Sequence, residues 1–409
     1  MLSIQAALDT LPRTPELLST EVCSLDVSHN RILAEPIIAP ENSPPFPKSL
    51  MDGFAVAADT LRMPPGADGF VTLNVVATLL AGQIPAVTLN PGQAIRIMTG
   101  AVVPEGAAAV VPIEQTRFDE TQPALVSVQP QQLQPGLNIL AEGANVTAGA
   151  VLLDRGVALH PGRIAALAEF GIAQVPLHRR PQVAVLPTGD EVVHYTQDPP
   201  PGHIRNSSQP MLAAQTLAAG AVPHLLHPVR DQPQLLADSI RKGLQSDVLL
   251  LTGGVSMGTH DFVPRELENA GVAKVFHGVQ MKPGKPLWFG QWSTQNHTCY
   301  VFGLPGNPVS SLVCFELFVR PLLCRLQGLP DPPRHTARLT SPFSVRGNRP
   351  VCQPARLFLQ NGVLHATPLR WTVSADLNAI TSADGMVLLD PEQPRADDTQ
   401  IADAWYWYR

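Results

Sequence analysis

Apolar positions along this chain change their rhythm several times, and each change marks a different kind of element. Before Arg13 the run IQAALDTL has the apolar spacing of one helix face. A stiff connector, PENSPPFP, follows. From Met51 to about Pro135 the runs FAVAAD, FVTLNVVATL, QAIRIMTG, AAAVVPIEQT and ALVSVQ are short, β-branched and bounded by glycine or proline, which predicts a small β domain. GLNILAEGANVTAGAVLLDRGVAL then reads as strands. HPGRIAALAEFGI reads as a helix, with Pro161 near its start and Gly171 as its stop. This block is expected to pair with the N-terminal segment across the β domain.

Beyond it, strand and helix patterns alternate. QVAVLPTG, AVPHLLHPV and DVLLLTGG read as strands, with QPMLAAQTLAAG and QPQLLADSIRKGL as the helices between them. A helix at FVPRELENAG, apolar runs at KVFHGVQM, LWFG and CYVFGLPG, and a helix at VSSLVCFELFVRPLLCRL complete the block. Such alternation predicts a mostly parallel sheet wrapped by helices, with ligands outside the carboxyl ends of the strands. After LPDPPRH the chain returns to short strands at ARLFLQ, VLHATPL and GMVLLD, a second small β domain. The expected fold class is α/β plus β, a central mostly parallel α/β domain with small flanking β domains. The expected domains are 1–45 together with 138–178, then 46–137, 179–328 and 332–409.

Composition narrows the function classes. A chain of 409 residues exceeds one hydrophobic core, so two to four domains are expected. A net charge of -6 and an aromatic share of 5% argue against nucleic-acid binding, by charge and by stacking respectively. Five cysteines show no paired metal spacing, and an odd count with no export signal fits free thiols in a reducing, cytoplasmic compartment. No apolar run reaches the roughly 18 residues needed to span a bilayer, so no membrane association is expected. Local anionic sites remain open wherever basic residues are concentrated.

The candidate chemistry lies in polar, glycine-punctuated loops that follow apolar runs. In LLLTGGVSMGTHD, Gly253 and Gly254 are expected to turn the backbone sharply and present N–H groups to an anion. Ser256 adds a hydroxyl nearby, and Asp261 a carboxylate that could ligate a metal. PTGDEV carries Asp190 and Glu191, KPGKP carries Lys282 and Lys285, and GLPGNPVS carries Pro305, Asn307, Pro308 and Ser310. SLMDGFAV adds Asp52, and RIMTGAVVPEGA adds Thr99. Simpler roles compete: Asp52 could shape a turn with Gly53, and Asp190 is expected to cap a helix after its strand. The lysines could belong to a solvated loop, although two prolines and a glycine pin them.

Taken in this order, SLMDGFAV, RIMTGAVVPEGAAAVV, PTGDEV, GGVSMGTHDF, KPGKP and GLPGNPVS resemble the molybdopterin molybdenumtransferases, the MoeA and gephyrin E-domain family. The likeness runs from the first helix to the last domain. It implies an elongated homodimer of four domains per chain, with a central domain of molybdopterin-binding type. The implied reaction inserts molybdate into adenylylated molybdopterin and releases AMP with the help of a divalent metal, Mg²⁺. Phosphates call for glycine N–H groups and molybdate for cations and hydroxyls. The anhydride calls for an oxygen-ligated metal.

The resemblance implies Asp52, Thr99, Glu191 and Asp261 as catalytic residues, with Glu191 and Asp261 holding metal. It implies substrate contacts at Gly253, Gly254, Ser256, Asp231, Lys282, Lys285, Pro305, Asn307, Pro308, Ser310, Arg349 and Ser382; Asp231 is also placed to start a helix. Implied protein partners are the upstream adenylyltransferase and molybdoenzyme apoproteins. Three departures stand out: Ala144 and Asn145 occupy an acidic pair of the family, and Asn206 replaces an Asp. The alternatives are a molybdopterin adenylyltransferase, which uses a similar α/β domain, and a non-catalytic molybdopterin-binding scaffold, which lost carboxylates would suit. The flanking β domains argue against the first, and retention of the other motif residues against the second.

Overall fold

Apolar strands with both faces covered need two sets of helices, and the central sheet has them. In this computed structural model, which describes residues 1–255, 262–341, 343, 345, 347–371, 373, 375–391 and 401–407, the sheet has six strands. Their order is Val222–Leu225, Gln182–Pro187, Val248–Thr252, Thr298–Leu304, Trp288–Ser293 and Ala273–His277. The first four run parallel, and the last two are antiparallel additions at one edge. Alternate residues of each strand serve opposite faces. Val183, Val185 and Leu250 join one core with Leu212 and the helical segment 308–326. Ala184, Leu186, Leu249 and Leu251 join another with Leu236, Ile240 and Val263.

The helices follow from equally local rules. Pro233 sits in the first turn of Pro233–Gly243, where its missing N–H costs nothing, and Leu236, Ile240 and Gly243 share its buried face. Segment 308–326 is continuous but not uniform, with Phe315–Val319 forming a π turn between two α-helical stretches. The last strands close into a five-stranded barrel in the order His335–Leu339, Val363–Pro368, Val351–Gln360, Gly385–Leu389 and Ile401–Tyr406. Small residues fill its interior, including Ala337, Ala355, Ala366, Ala402 and Ala404. Trp405 and Trp407 instead turn outward to the core under the 308–326 helix. A short helix at Leu377–Thr381, capped by Asp376, was not legible in the sequence pattern.

The chain divides into two compact units. One comprises Met1–Ala34, Ala158–His160 and Gln174–Arg409, and so contains the central sheet and the barrel. The second comprises Glu35–Val157 and Pro161–Ala173. Its six-stranded sheet runs Ala107–Pro112, Gly53–Ala57, Gln93–Ile97, Val71–Leu79, Leu125–Val128 and Arg117–Phe118. Separate apolar clusters pack on its two faces. The expected pairing of the chain's early segment with the block after the β runs is present as three antiparallel ladders. Thr20–Ser24 joins Gln174–His178, Ile37–Ile38 joins Val151–Leu153, and Lys48–Ser49 joins Ile139–Leu140. Among the described residues no helix is long and apolar enough to cross a membrane.

Candidate functional site

A doubly wound sheet opens a crevice where successive connections leave in opposite directions. Here that point lies between Gln182–Pro187 and Val248–Thr252. The chain leaves the first for Val222–Leu225 on one side, then returns across to Val248–Thr252 on the other. Backbone bonds lock the rim: Thr188 N donates to Thr252 O at 2.9 Å, and Gly253 N donates to Leu304 O at 3.2 Å. Gly253 has φ +91°, and a Cβ there would lie 2.6 Å from Thr188 O. Gly254 has φ +61°, and its Cβ would meet Val263 Cγ2 at 2.7 Å. Both positions therefore require glycine. One part of the sequence expectation needs correction, because the Gly253 N–H is committed to Leu304 rather than aimed at an anion.

Two helices begin at this crevice. Asn206, one residue before the N-cap Ser207, accepts a hydrogen bond from Gln209 N at 3.1 Å and so satisfies a donor in the first turn of Ser208–Ala218. Gln209 Nε2 then donates to Val185 O at 3.1 Å and Leu226 O at 2.7 Å, fixing that turn to two strands. The second helix, 308–326, starts with Asn307 as N-cap and Pro308 in the first turn. Its Ser311 hydroxyl donates to Pro305 O at 2.5 Å and holds the PGNP loop down. Helix N-termini carry partial positive charge and unpaired N–H groups, so two beside one cavity suit an anion. The cavity measures about 560 Å³, and its walls include Thr188, Glu191, Arg205, Asn206, Ser207, Ser208, Gly253, Gly254 and residues 305–308.

Glu191 and Asp190 do not follow the expected path. The chain after Thr188 forms a short parallel pair, Val192–Val193 with Ile204–Arg205, and no helix follows directly. Asp190 therefore caps no helix; its Oδ1 accepts instead from Asp231 N at 3.2 Å. Glu191 folds back over Gly189, where an added Cβ would lie 2.7 Å from Glu191 Oε2. That places Glu191 on the wall of a cavity that Arg205 also lines, with the Arg205 guanidinium paired to Asp198 at 2.6 Å.

The comparisons with known proteins fit this architecture. Residues 2–171 match the MoeA N-terminal region (domain I and II), 184–325 the probable molybdopterin binding domain, and 336–403 the MoeA C-terminal region (domain IV). A molybdopterin molybdenumtransferase of Bacillus subtilis is 37% identical over 375 residues, covering 90% of this chain and 86% of that protein. The chain belongs to the MoeA family. A protein of the same name from Nostoc sp. is 38% identical over 320 residues, 78% of this chain and 72% of its own. Among solved structures, the molybdopterin biosynthesis MoeA protein of Pyrococcus horikosii superposes with a TM-score of 0.82 at 28% identity. The match covers 100% of this chain and 99% of that one.

Within this MoeA fold the crevice gathers Glu191, Gly253, Gly254, Pro305, Asn307 and Pro308. Ser310 is buried in the first turn of the helix that begins at Pro308. Asp52 and Thr99 lie together in the second unit, where Thr99 N and Oγ1 each donate to Asp52 Oδ1 at 2.7 Å. Those bonds, the hydroxyl first, hold the Asp52 carboxyl below the usual carboxylate range. Lys282 and Lys285 are exposed on a loop stitched to the barrel by Lys282 N to Pro350 O at 2.9 Å and Cys352 N to Lys282 O at 2.8 Å. Gly284 in that loop has no room for a side chain, since its Cβ would lie 2.7 Å from Cys314 Sγ.

Lys282 opens on a different hollow of about 360 Å³ with Gln353, Arg370 and Trp371, and only Pro286 of this loop reaches the crevice. Arg349 donates to Met281 O at 3.3 Å behind the same loop, whereas Ser382 is exposed at the end of its short helix. Ser256 and Asp261 lie outside the described residues. Ala144 and Asn145 form an exposed turn of the second unit, with Asn145 N donating to Ser43 O at 2.9 Å. Thr188, Arg205, Ser207 and Ser208 were not singled out from the sequence. The usable signal was two serines opening a helix beside a strand end.

Proposed function

We propose that this chain is a molybdopterin molybdenumtransferase, taking molybdate and adenylylated molybdopterin as substrates and releasing AMP. The observation that carries the reading is the crevice at the sheet's switch point, flanked by two helix N-termini and lined mostly by residues of the stretch that matches the molybdopterin-binding domain. A phosphorylated ligand gains from both helix ends, and the cavity of about 560 Å³ suits an extended organic molecule rather than a lone ion. The Ser207 and Ser208 hydroxyls and the Arg205 guanidinium would orient its phosphate groups. Lys282 and Lys285, exposed and fixed by their backbone, would draw in the molybdate oxyanion.

Mg²⁺ is part of the same proposal. The Glu191 carboxylate has no hydrogen-bond donor among the described residues and keeps both oxygens for a hard cation, with Asp261 as the proposed second ligand. When bound, the metal would offset charge on the leaving phosphate. Asp52, kept ionised by Thr99, is proposed as a further catalytic carboxylate. A homodimer in the cytoplasm that receives substrate from the adenylyltransferase and serves molybdoenzyme apoproteins is part of the same proposal; the match to the MoeA family supports it, and sedimentation tests its first element.

The deciding experiment incubates purified protein with adenylylated molybdopterin, with and without molybdate. Molybdate-stimulated AMP release, with a product that activates an apo-molybdoenzyme, is expected. ATP-dependent adenylylation of molybdopterin instead would identify the upstream transferase. Tight substrate binding without AMP release would identify a scaffold.

A further inference from the structure

The two helices that open on the crevice are joined, well below it, by a buried polar bolt. Gln215 of Ser208–Ala218 is 1% exposed, and its Nε2 donates to Leu312 O at 3.3 Å and to Glu316 Oε1 at 2.7 Å. Glu316 is 4% exposed and lies in the π turn of the 308–326 helix. Its other oxygen, Oε2, accepts from Arg320 Nη1 at 3.0 Å, and the same Nη1 lies 3.3 Å from Tyr406 O of the barrel. Gln215 stands seven residues beyond Ser208, and Glu316 eight beyond Pro308. At about 1.5 Å per residue, the bolt is about 10–12 Å along each axis from the crevice.

Stability is a poor explanation for these groups. Gln215 Oε1 has no hydrogen-bond partner among the described residues, so half of a buried amide is desolvated without return. Burial pushes the Glu316 carboxyl up to about 7, against the pull of Arg320 and Gln215. Apolar side chains of similar volume fill such places at less cost. The surrounding contacts, among them Leu212, Leu312 and Phe315, are non-directional and resist sliding only weakly. Directional bonds to a backbone carbonyl and a carboxylate do resist it. Turning either helix by one residue, about 100°, breaks both.

We infer that Gln215 and Glu316 are positioning residues for the crevice, holding the two helix N-termini at the separation that receives the substrate's phosphate. This rests on the proposed reaction only for the identity of the substrate. The role predicts weaker binding rather than slower chemistry when the bolt is cut, because helix N-termini bind the phosphate before and during reaction alike.

The test compares wild type with Gln215→Met, which keeps length and removes both bonds, and Glu316→Gln, which leaves Gln215 an acceptor. Steady-state kinetics with adenylylated molybdopterin are combined with calorimetric titration of inorganic phosphate. Gln215→Met is expected to raise KM about tenfold and weaken phosphate binding by a similar factor, with kcat within about twofold. Glu316→Gln keeps an acceptor for Gln215 but loses the one for Arg320, so it should lie between wild type and Gln215→Met in both. If Gln215→Met fails to fold, Gln215→Asn, too short to reach Glu316, carries the same expectation. Unchanged KM and phosphate affinity with a lower active fraction would overturn the inference. Wild-type protein without turnover would instead sink the proposed reaction, and phosphate affinity alone would then decide: equal values in wild type and Gln215→Met count against the bolt.

Discussion

Glu316 makes a quantitative demand on stability. Its carboxyl is raised by burial to about 7 from an ordinary 4.5, with the nearby Arg320 guanidinium and the Gln215 amide opposing the shift. A raised acid means that the folded protein holds a proton the unfolded chain has already lost, so stability falls as pH rises between the two values. Integrated from pH 5 to pH 8, that proton difference is worth roughly 2–3 kcal/mol. Glu316→Gln removes the titration while keeping the shape. All five tryptophans lie in the unit containing Gln174–Arg409, so their fluorescence during denaturant unfolding reports on the unit that holds Glu316. Other groups around the cavity at this helix, Asp9, Arg13, Arg325, Asp331 and Arg334, are common to both proteins and cancel in the comparison. Wild type is expected to lose roughly 2–3 kcal/mol relative to Glu316→Gln over that pH range. Parallel pH profiles, or a relative gain by wild type toward pH 8, would refute the reasoning.

Other substitutions test the remaining parts. Asp247 is 5% exposed, pairs with Arg179 through both oxygens and accepts from Gln182 N at 2.7 Å, so Asp247→Ala should cost about 3–5 kcal/mol in the same unfolding assay; a loss below about 1 kcal/mol would mean the pair is not load-carrying. Thr99→Val removes the hydroxyl that contributes most to the lowered Asp52 pKa, so an NMR titration should find that pKa moved upward; an unmoved value counts against the assignment. Gly253→Ala, forced into a left-handed backbone with Cβ 2.6 Å from Thr188 O, should lower stability by at least about 1–2 kcal/mol and weaken phosphate binding. Native-like values for both would show that the strand end has slack. Lys282→Met with Lys285→Met should abolish saturation by molybdate while leaving binding of the organic substrate intact, and loss of the organic substrate with an unchanged molybdate response would reverse the assignment.

Most of the architecture was legible because its causes are local. Buried β-branched and leucine runs separated by helical patterns announce a covered parallel sheet, and the short runs either side announce small β domains. What escaped depends on partners far away in sequence. Trp288–Ser293 and Ala273–His277 pair antiparallel at the edge of the parallel sheet, and neither strand's own residues encode that direction. Asp190 looked like a cap because carboxylates after strands commonly start helices. Here the chain turns into a two-stranded ladder, and Asp231, 41 positions away, supplies the partner.

The candidate site divides along the same line. Gly253 and Gly254 were rightly marked as positions needing glycine, but for a different reason. Positive φ and the close approach of Thr188 exclude a side chain, while the Gly253 N–H is spent on the neighbouring strand. A glycine pair after a strand therefore reports crowding before it reports an anion. The proposed anion binding rests instead on the ends of two helices, and Ser208–Ala218 begins with residues that carry no motif of their own. If an aspartate stands there in the family, as the resemblance implies, the Asn206 amide oxygen accepts from Gln209 N as a carboxylate would, so the departure removes a charge from the crevice wall without removing that bond. Losing that negative charge beside two helix N-termini favours an anionic ligand, which makes the substitution compatible with binding a phosphate rather than evidence of a decayed site.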